Sequence, residues 1–109
     1  MTPAPLVILD EIDSTNAEAR RLAEAGEAGP RWIVARRQTA GRGRRGRGWI
    51  DKPGNLAATL LLTIHGTARE AAQSTFIAAL AVADLLDVFV SPALVSIKWP
   101  NDVLLDGRK

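Results

Sequence analysis

The chain has 109 residues, 47% of them hydrophobic and 24% charged, with a net charge of +2, no cysteine and a single histidine, His65. That make-up is ordinary for one soluble globular domain, and it excludes disulfides, cysteine metal sites and a histidine metal cluster within the chain. No apolar stretch approaches a membrane span. The opening MTPAPLVILDE lacks the basic region and cleavage site of a signal peptide, and the absence of cysteine fits a cytoplasmic protein.

In chain order, Leu6 to Leu9 is a short apolar run that reads as a buried strand. Thr15-Asn16-Ala17-Glu18 matches a capping box, with Thr15 as the cap and Glu18 reaching back, and a helix over AEARRLAEA follows. Gly26 and Gly29-Pro30 stop that helix. Arg20, Arg21 and Arg69 read as solvated helix charges. Trp32 to Ala35 reads as a second strand. Pro53-Gly54 marks a turn, and Leu56 to Ile64 reads as a buried strand carrying His65 at its end in a structural role. Helix is open there on propensity, but the flanking breakers favour strand.

Thr67-Ala68-Arg69-Glu70 is a second capping box, and its helix is expected to run to about Asp87. Its apolar residues spread over a wide face, so it is expected to be well buried. Leu94 to Lys98 and Val103 to Leu105 are strand-like, joined by the tight Trp99-Pro100-Asn101-Asp102 connection. Asp106-Gly107 after an apolar run signals a hairpin, yet only two residues follow. The expectation is a chain cut as a hairpin returns, because a strand needs a partner for its backbone groups.

The most unusual segment is GRGRRGRGW, Gly41 to Trp49. Arg36, Arg37, Arg42, Arg44, Arg45 and Arg47 hold six of the fourteen positive charges with no acid among them. The remaining eight bases face twelve acids, a balance of −4. That pattern suggests a local anion site more than a broad nucleic-acid surface. Gly41 to Gly46 spells the letters of a dinucleotide fingerprint, but Gly48, Pro53 and Gly54 forbid the helix that must follow, and no acid lies about twenty residues on. A Walker-type loop fails as well, because Gly46 is followed by Arg47-Gly48. A plain solvated loop is the simpler alternative. Against it, arginines this dense repel one another unless an anion neutralises them. A loop closing on a polyphosphate uses both residue types: glycine lets backbone approach, and arginine forks onto phosphate oxygens.

Three motifs, Asp13-Ser14-Thr15-Asn16, then Gln38-Thr39-Ala40 running into Gly41 to Trp49, then Lys98-Trp99-Pro100-Asn101-Asp102-Val103, resemble those of biotin protein ligases in order and spacing. The resemblance covers essentially the whole chain and matches the first half or so of the family's catalytic region. It implies an α/β (α+β) fold, a mixed β-sheet flanked by helices like the core of class II aminoacyl-tRNA synthetases. It also implies that 1–109 is the N-terminal portion of the catalytic domain. The rest of that domain, the small C-terminal domain and the helix-turn-helix domain of the regulatory members are then absent. Such a portion is expected to ligate poorly by itself. The implied reaction joins biotin to ATP as biotinyl-5′-AMP and passes it to a lysine of a biotin carboxyl carrier domain. Biotin and ATP would be substrates with Mg2+, and some members are homodimers.

The resemblance also implies roles. Ser14, Thr15 and Asn16 would form the biotin-binding turn, with Gln38 as a second contact to the ureido ring. Thr15 can cap the helix at the same time. Gly41, Arg42, Gly43 and Arg44 would wrap biotin and the adenylate, with Arg42 and Arg44 on carboxylate and phosphate. Arg45 reads equally as solvated, Arg47 as a pyrophosphate or phosphate contact that helps order the loop, and Trp49 either as a cover for the adenylate or as a core or hinge aromatic. Lys98, Asn101 and Asp102 would lie in the ATP region. Asp102 would hold magnesium, orient the incoming lysine or simply cap its turn. Lys109 aligns with a lysine that contacts the biotin carboxylate and α-phosphate, and as the last residue it is expected to be frayed. A lipoate or octanoate transferase of the same fold is the enzymatic alternative, separable by competition between biotin and lipoate. A nucleic-acid-binding module is the other. It requires salt-dependent retention on nucleic acid that Arg42→Ala/Arg44→Ala abolishes, and the ligase reading expects no such retention in a salt-titrated column assay.

Overall fold

The computed structural model describes residues 3–43, 46–48, 50 and 52–109. Arg44, Arg45, Trp49 and Asp51, and the expectations placed on them, lie outside the described residues. The fold divides into two compact units, residues 1–63 and 64–109.

The first unit is a three-stranded mixed sheet with one helix. Strand β1 (Leu6–Ile12) leads into helix α1 (Thr15–Glu24), which crosses over to strand β2 (Arg31–Gln38). β2 lies parallel to β1, with Leu6 opposite Trp32 and Ile12 opposite Gln38. Strand β3 (Ala57–Leu61) runs antiparallel to β2, pairing Ala35 with Ala57 and Ile33 with Thr59. β1 and β2 are each longer than their apolar runs suggested. β3 is shorter than expected, and His65 lies beyond it, exposed.

Alternation along β2 explains the core. Ile33 and Ala35 point to one face and are buried, and Ala57 on β3 and Ala19 on α1 are buried with them. Three of these four are alanines, which lets the helix lie close to the sheet. On the opposite face Leu6, Ile8, Trp32 and Leu60 are exposed. Gly29, before β2, has φ +72, and a Cβ there would collide with the Leu61 carbonyl, so that turn needs glycine twice over.

In the second unit Thr67 caps helix α2 (Ala68–Ala72). Its hydroxyl accepts the Glu70 N–H at 3.1 Å, and the Glu70 carboxylate accepts the Thr67 N–H at 2.9 Å, the expected reciprocal box. The single helix anticipated to Asp87 is instead broken at Gln73, and helix α3 (Ser74–Asp87) follows. The Ser74 hydroxyl donates to the Ala71 carbonyl at 2.7 Å, a side-chain bond that competes with the helical ladder at that point.

The expected burial of this helix is not met within the described residues. Ile77, Leu80 and Leu85 are each more than half exposed, and of α3 only Ala79 is buried. One short hairpin cannot cover the wide apolar face. That hairpin is strands β4 (Val95–Lys98) and β5 (Asp102–Leu105), paired antiparallel as a separate two-stranded sheet, with a cis Trp99–Pro100 bond in the connection. The Trp99 ring meets Phe76 of α3 at 4.9 Å between centroids. After β5, Asp106 and Gly107 both have positive φ, 50 and 76, and Leu105 bridges to Arg108, so the expected Asp-Gly hairpin turn is formed. No helix of the described residues is long and apolar enough to cross a membrane.

Ile33, with no exposed surface, is the side chain on which the first unit closes. Ile33→Ala is expected to lower stability by about 2–5 kcal/mol in chemical denaturation, and Ile8→Ala on the uncovered face by much less.

Candidate functional site

Local chemistry at the start of α1 builds the first part of the site. Ser14 has extended backbone, φ −158 and ψ 139, and its Oγ accepts the Ala17 N–H at 3.1 Å. Ser14 is therefore the cap, one residue earlier than expected, and Thr15 is the first helical residue. Glu18 does not reach back. It accepts from Arg21 Nε at 2.9 Å. The Ser14 N–H donates instead to the Asp13 carboxylate at 2.7 Å.

Arg21 is not simply a solvated charge. Its two terminal nitrogens fork onto the two oxygens of Asp13 at 2.9 and 2.8 Å. This fork, aided by the Ser14 N–H, holds the Asp13 carboxyl well below the usual carboxylate range, and the acids raise Arg21 in turn. Both side chains are about half exposed, at 48% and 45%, so solvent screens the pair and its weight lies in geometry more than energy. The fork ties the turn to the second turn of its own helix.

Because Ser14 caps, Thr15 is free to face the sheet, and it is buried. Its N–H donates to Gln38 Oε1 at 2.8 Å, and its hydroxyl lies 3.1 Å from the same oxygen. The hydroxyl also sits 2.8 Å from Thr59 Oγ1, which donates to Asn16 Oδ1 at 2.6 Å. Thr15, Asn16 and Gln38, grouped by resemblance, thus form one hydrogen-bonded cluster, and Ser14 caps the turn that carries it. Thr59 was missed. Its signal was a hydroxyl inside the apolar run LAATLLLTI, at the position opposite Ile33.

The next segment begins where β2 ends. The Thr39 and Ala40 N–H groups donate to the Ile12 and Asp13 carbonyls at 2.9 and 2.8 Å, which carries the chain past the Asp13 turn into buried Gly41. Arg42 and Gly48 form an antiparallel bridge, and the Gly43 N–H donates to the Arg47 carbonyl at 2.6 Å. The loop therefore has a closed neck. Arg36 and Arg37, counted above in the basic run, are neutralised across β1: Arg36 meets Asp10 at 2.6 Å, and Arg37 meets Glu11. Among the described residues, Arg42 and Arg47 have no acidic partner, so the unneutralised charge lies in the loop.

In the second unit Lys98 and Asp102 face each other at the turn end of the β4–β5 hairpin, with exposed Asn101 between them. Lys109, expected to be frayed, forms an ion pair with Asp102 at 2.9 Å. Asp102 is about a quarter exposed and carries that ammonium on its carboxylate. Among the described residues no three acids or histidines gather as a metal cage. In this structure the Asp102 carboxylate is paired with Lys109, and no step is assigned to a resident metal.

The polar turn and the glutamine-bearing strand end are hydrogen-bonded together in the first unit, and the strand leads on to Gly41. Residues 9–109 match the biotin/lipoate A/B protein ligase family, and the chain belongs to that family. It is 54% identical over 103 residues to a biotin–[acetyl-CoA-carboxylase] ligase of Paracoccus denitrificans, a match covering 94% of this chain and 42% of that protein. The biotin protein ligase of Leishmania major in complex with biotin superposes with a TM-score of 0.80 at 28% identity, over 96% of this chain and 48% of that one. The ligase of Aquifex aeolicus in complex with biotin and ATP gives 0.72 at 35% identity, over 93% and 41%. The chain thus spans less than half the length of these relatives.

The Asp13 fork makes a pH prediction. A carboxyl whose folded value is depressed stabilises fully above its ordinary value of 3.8 and loses that contribution as the pH falls below it. Asp13→Asn is therefore expected to be less stable than the unaltered chain at neutral pH, with the gap narrowing in acid unfolding measured below pH 3.8.

Proposed function

We propose that this chain forms the biotin- and adenylate-binding part of a biotin protein ligase. The activity would make biotinyl-5′-AMP from biotin and ATP and transfer biotin to a lysine of a biotin carboxyl carrier domain, in the cytoplasm. The observation that carries this reading is the Thr15–Gln38–Thr59–Asn16 cluster beside the neck of the arginine loop. A cyclic urea needs a few fixed donors and acceptors in an otherwise apolar setting, and the turn at the head of α1 supplies them. Ser14, Thr15, Asn16 and Gln38 are assigned to the biotin ring. Gly41 and Gly43 are assigned to close backbone approach.

In the first step an oxygen of the biotin carboxylate forms a bond to the α-phosphorus of ATP, and the bond from that phosphorus to the bridging oxygen breaks. Pyrophosphate leaves. Two anions meet in this step, so cations must offset their repulsion. Arg42, Arg44 and Arg47 are assigned that task, with Arg42 and Arg44 on the carboxylate and α-phosphate. In the second step a carrier lysine amine attacks the acyl carbon and AMP leaves as a phosphate monoester. The mixed anhydride hydrolyses readily, so a loop must cover it, and Trp49 is assigned to that cover. Lys98, Asn101, Asp102 and Lys109 are assigned to the nucleotide, with Lys109 on the carboxylate and α-phosphate once ligand displaces its pairing with Asp102. Magnesium enters as the counter-ion of ATP.

Biotin-dependent exchange of labelled pyrophosphate into ATP by the intact protein tests the reading, and its absence overturns it. Arg44→Ala is expected to weaken retention of biotinyl-5′-AMP more than binding of biotin, as measured by calorimetry; equal losses contradict the role given to Arg44.

A further inference from the structure

The hydrogen-bonded cluster contains more information than its membership. Thr59 has one hydroxyl proton, and it goes to Asn16 Oδ1 at 2.6 Å. The 2.8 Å contact between Thr59 Oγ1 and Thr15 Oγ1 then needs the proton of Thr15. Thr15 Oγ1 also donates to Gln38 Oε1 at 3.1 Å, an oxygen that accepts the Thr15 N–H at 2.8 Å as well, so the Thr15 proton is shared between Gln38 and Thr59. The Thr59 proton goes to Asn16, and the Thr15 proton serves both Gln38 and Thr59. The Asn16 carbonyl is thereby taken up from the sheet side. Its amide nitrogen, on an exposed side chain without a partner among the described residues, presents two N–H donors outward.

We propose that Thr59, a residue of β3, is a positioning residue for ligand specificity: its hydroxyl fixes the Asn16 amide so that the site offers donors, and so selects a ring carbonyl over a ring group that itself bears N–H. The inference rests on the biotin reading and deepens it. Nothing else in the cluster sets the amide. Asn16 is at the start of α1, where its side chain can turn either way about its last bond, and the two orientations differ only in which end meets Thr59. A threonine between two apolar neighbours on a strand is also a rigid support, since its β-branch restricts rotation.

The test compares biotin with its 2-imino analogue, in which the ureido oxygen is replaced by nitrogen bearing N–H. Both are titrated into the full chain by calorimetry. The unaltered chain is expected to prefer biotin. Thr59→Val keeps the shape and removes the hydroxyl, so the amide is free to turn, and the ratio of the two affinities is expected to shrink by about tenfold. Thr59→Ser is expected to restore it. Asn16→Asp replaces the outward donors with an acceptor while keeping an oxygen for Thr59, and it is expected to bind the imino analogue more tightly than the unaltered chain does. It decides the matter should Thr59→Val fail to fold in a thermal melt. Equal weakening of both ligands by Thr59→Val, or no gain of the imino analogue by Asn16→Asp in its absence, overturns the inference while leaving the biotin reading intact. Failure of the unaltered chain to bind biotin overturns the biotin reading and this inference with it.

Discussion

The bond from the Thr15 N–H to Gln38 Oε1 is the constraint on which the first unit's chemistry depends. A helix start leaves N–H groups without intrahelical partners, and they need acceptors. Here the acceptors come from two directions. Ser14 supplies one from within the turn, and Gln38 supplies the other from the end of the neighbouring strand. The second makes the helix start and the strand end a single object. Since β2 leads directly into the arginine-glycine loop, the neck of that loop is fixed relative to the polar turn. The Thr39 and Ala40 bonds to β1 and the turn reinforce the same junction.

Charge is arranged to suit. Arg36 and Arg37 extend the basic run in sequence, but the parallel register of β1 and β2 sets Glu11 opposite Arg37, and Asp10 pairs with Arg36. The strand portion of the run is neutral as a result, and the loop portion is not. Among the described residues of the basic run, the arginines without an acidic partner, Arg42 and Arg47, lie in the glycine-rich segment. At the other side of the turn, the fork of Arg21 onto Asp13 steadies the residues preceding the cap without entering the cluster.

Much of this was legible in the sequence. Apolar runs located the strands, breakers located the turns, and the Thr67–Glu70 box formed as written. The misreadings have specific causes. Thr15 and Ser14 are both good caps, and local pattern does not choose between them; Ser14 caps because Thr15 is drawn to Gln38 and Thr59 on the sheet. Glu18 fits a capping box, but Arg21 one turn on is the stronger partner for a carboxylate. The long helix is interrupted at Gln73, where the Ser74 hydroxyl bonds back to Ala71 and competes with the helical ladder. Its apolar breadth was read as burial, yet breadth states only that a helix has surface to hide, and the β4–β5 hairpin hides little of it.

By itself the sequence determined most of the element types, the order of the three motifs and the acid-free cluster of arginines from Arg36 to Arg47, because these follow from periodicity, turn chemistry and composition. Only the tertiary structure decided which polar groups meet. Thr59 is 44 residues from Thr15, and no local rule joins a strand threonine to a helix start across that distance. Antiparallel pairing with β2 sets Thr59 opposite Ile33 and beneath the head of α1. The bond from the Thr59 hydroxyl to Asn16 exists only once the strand and the helix start are packed together.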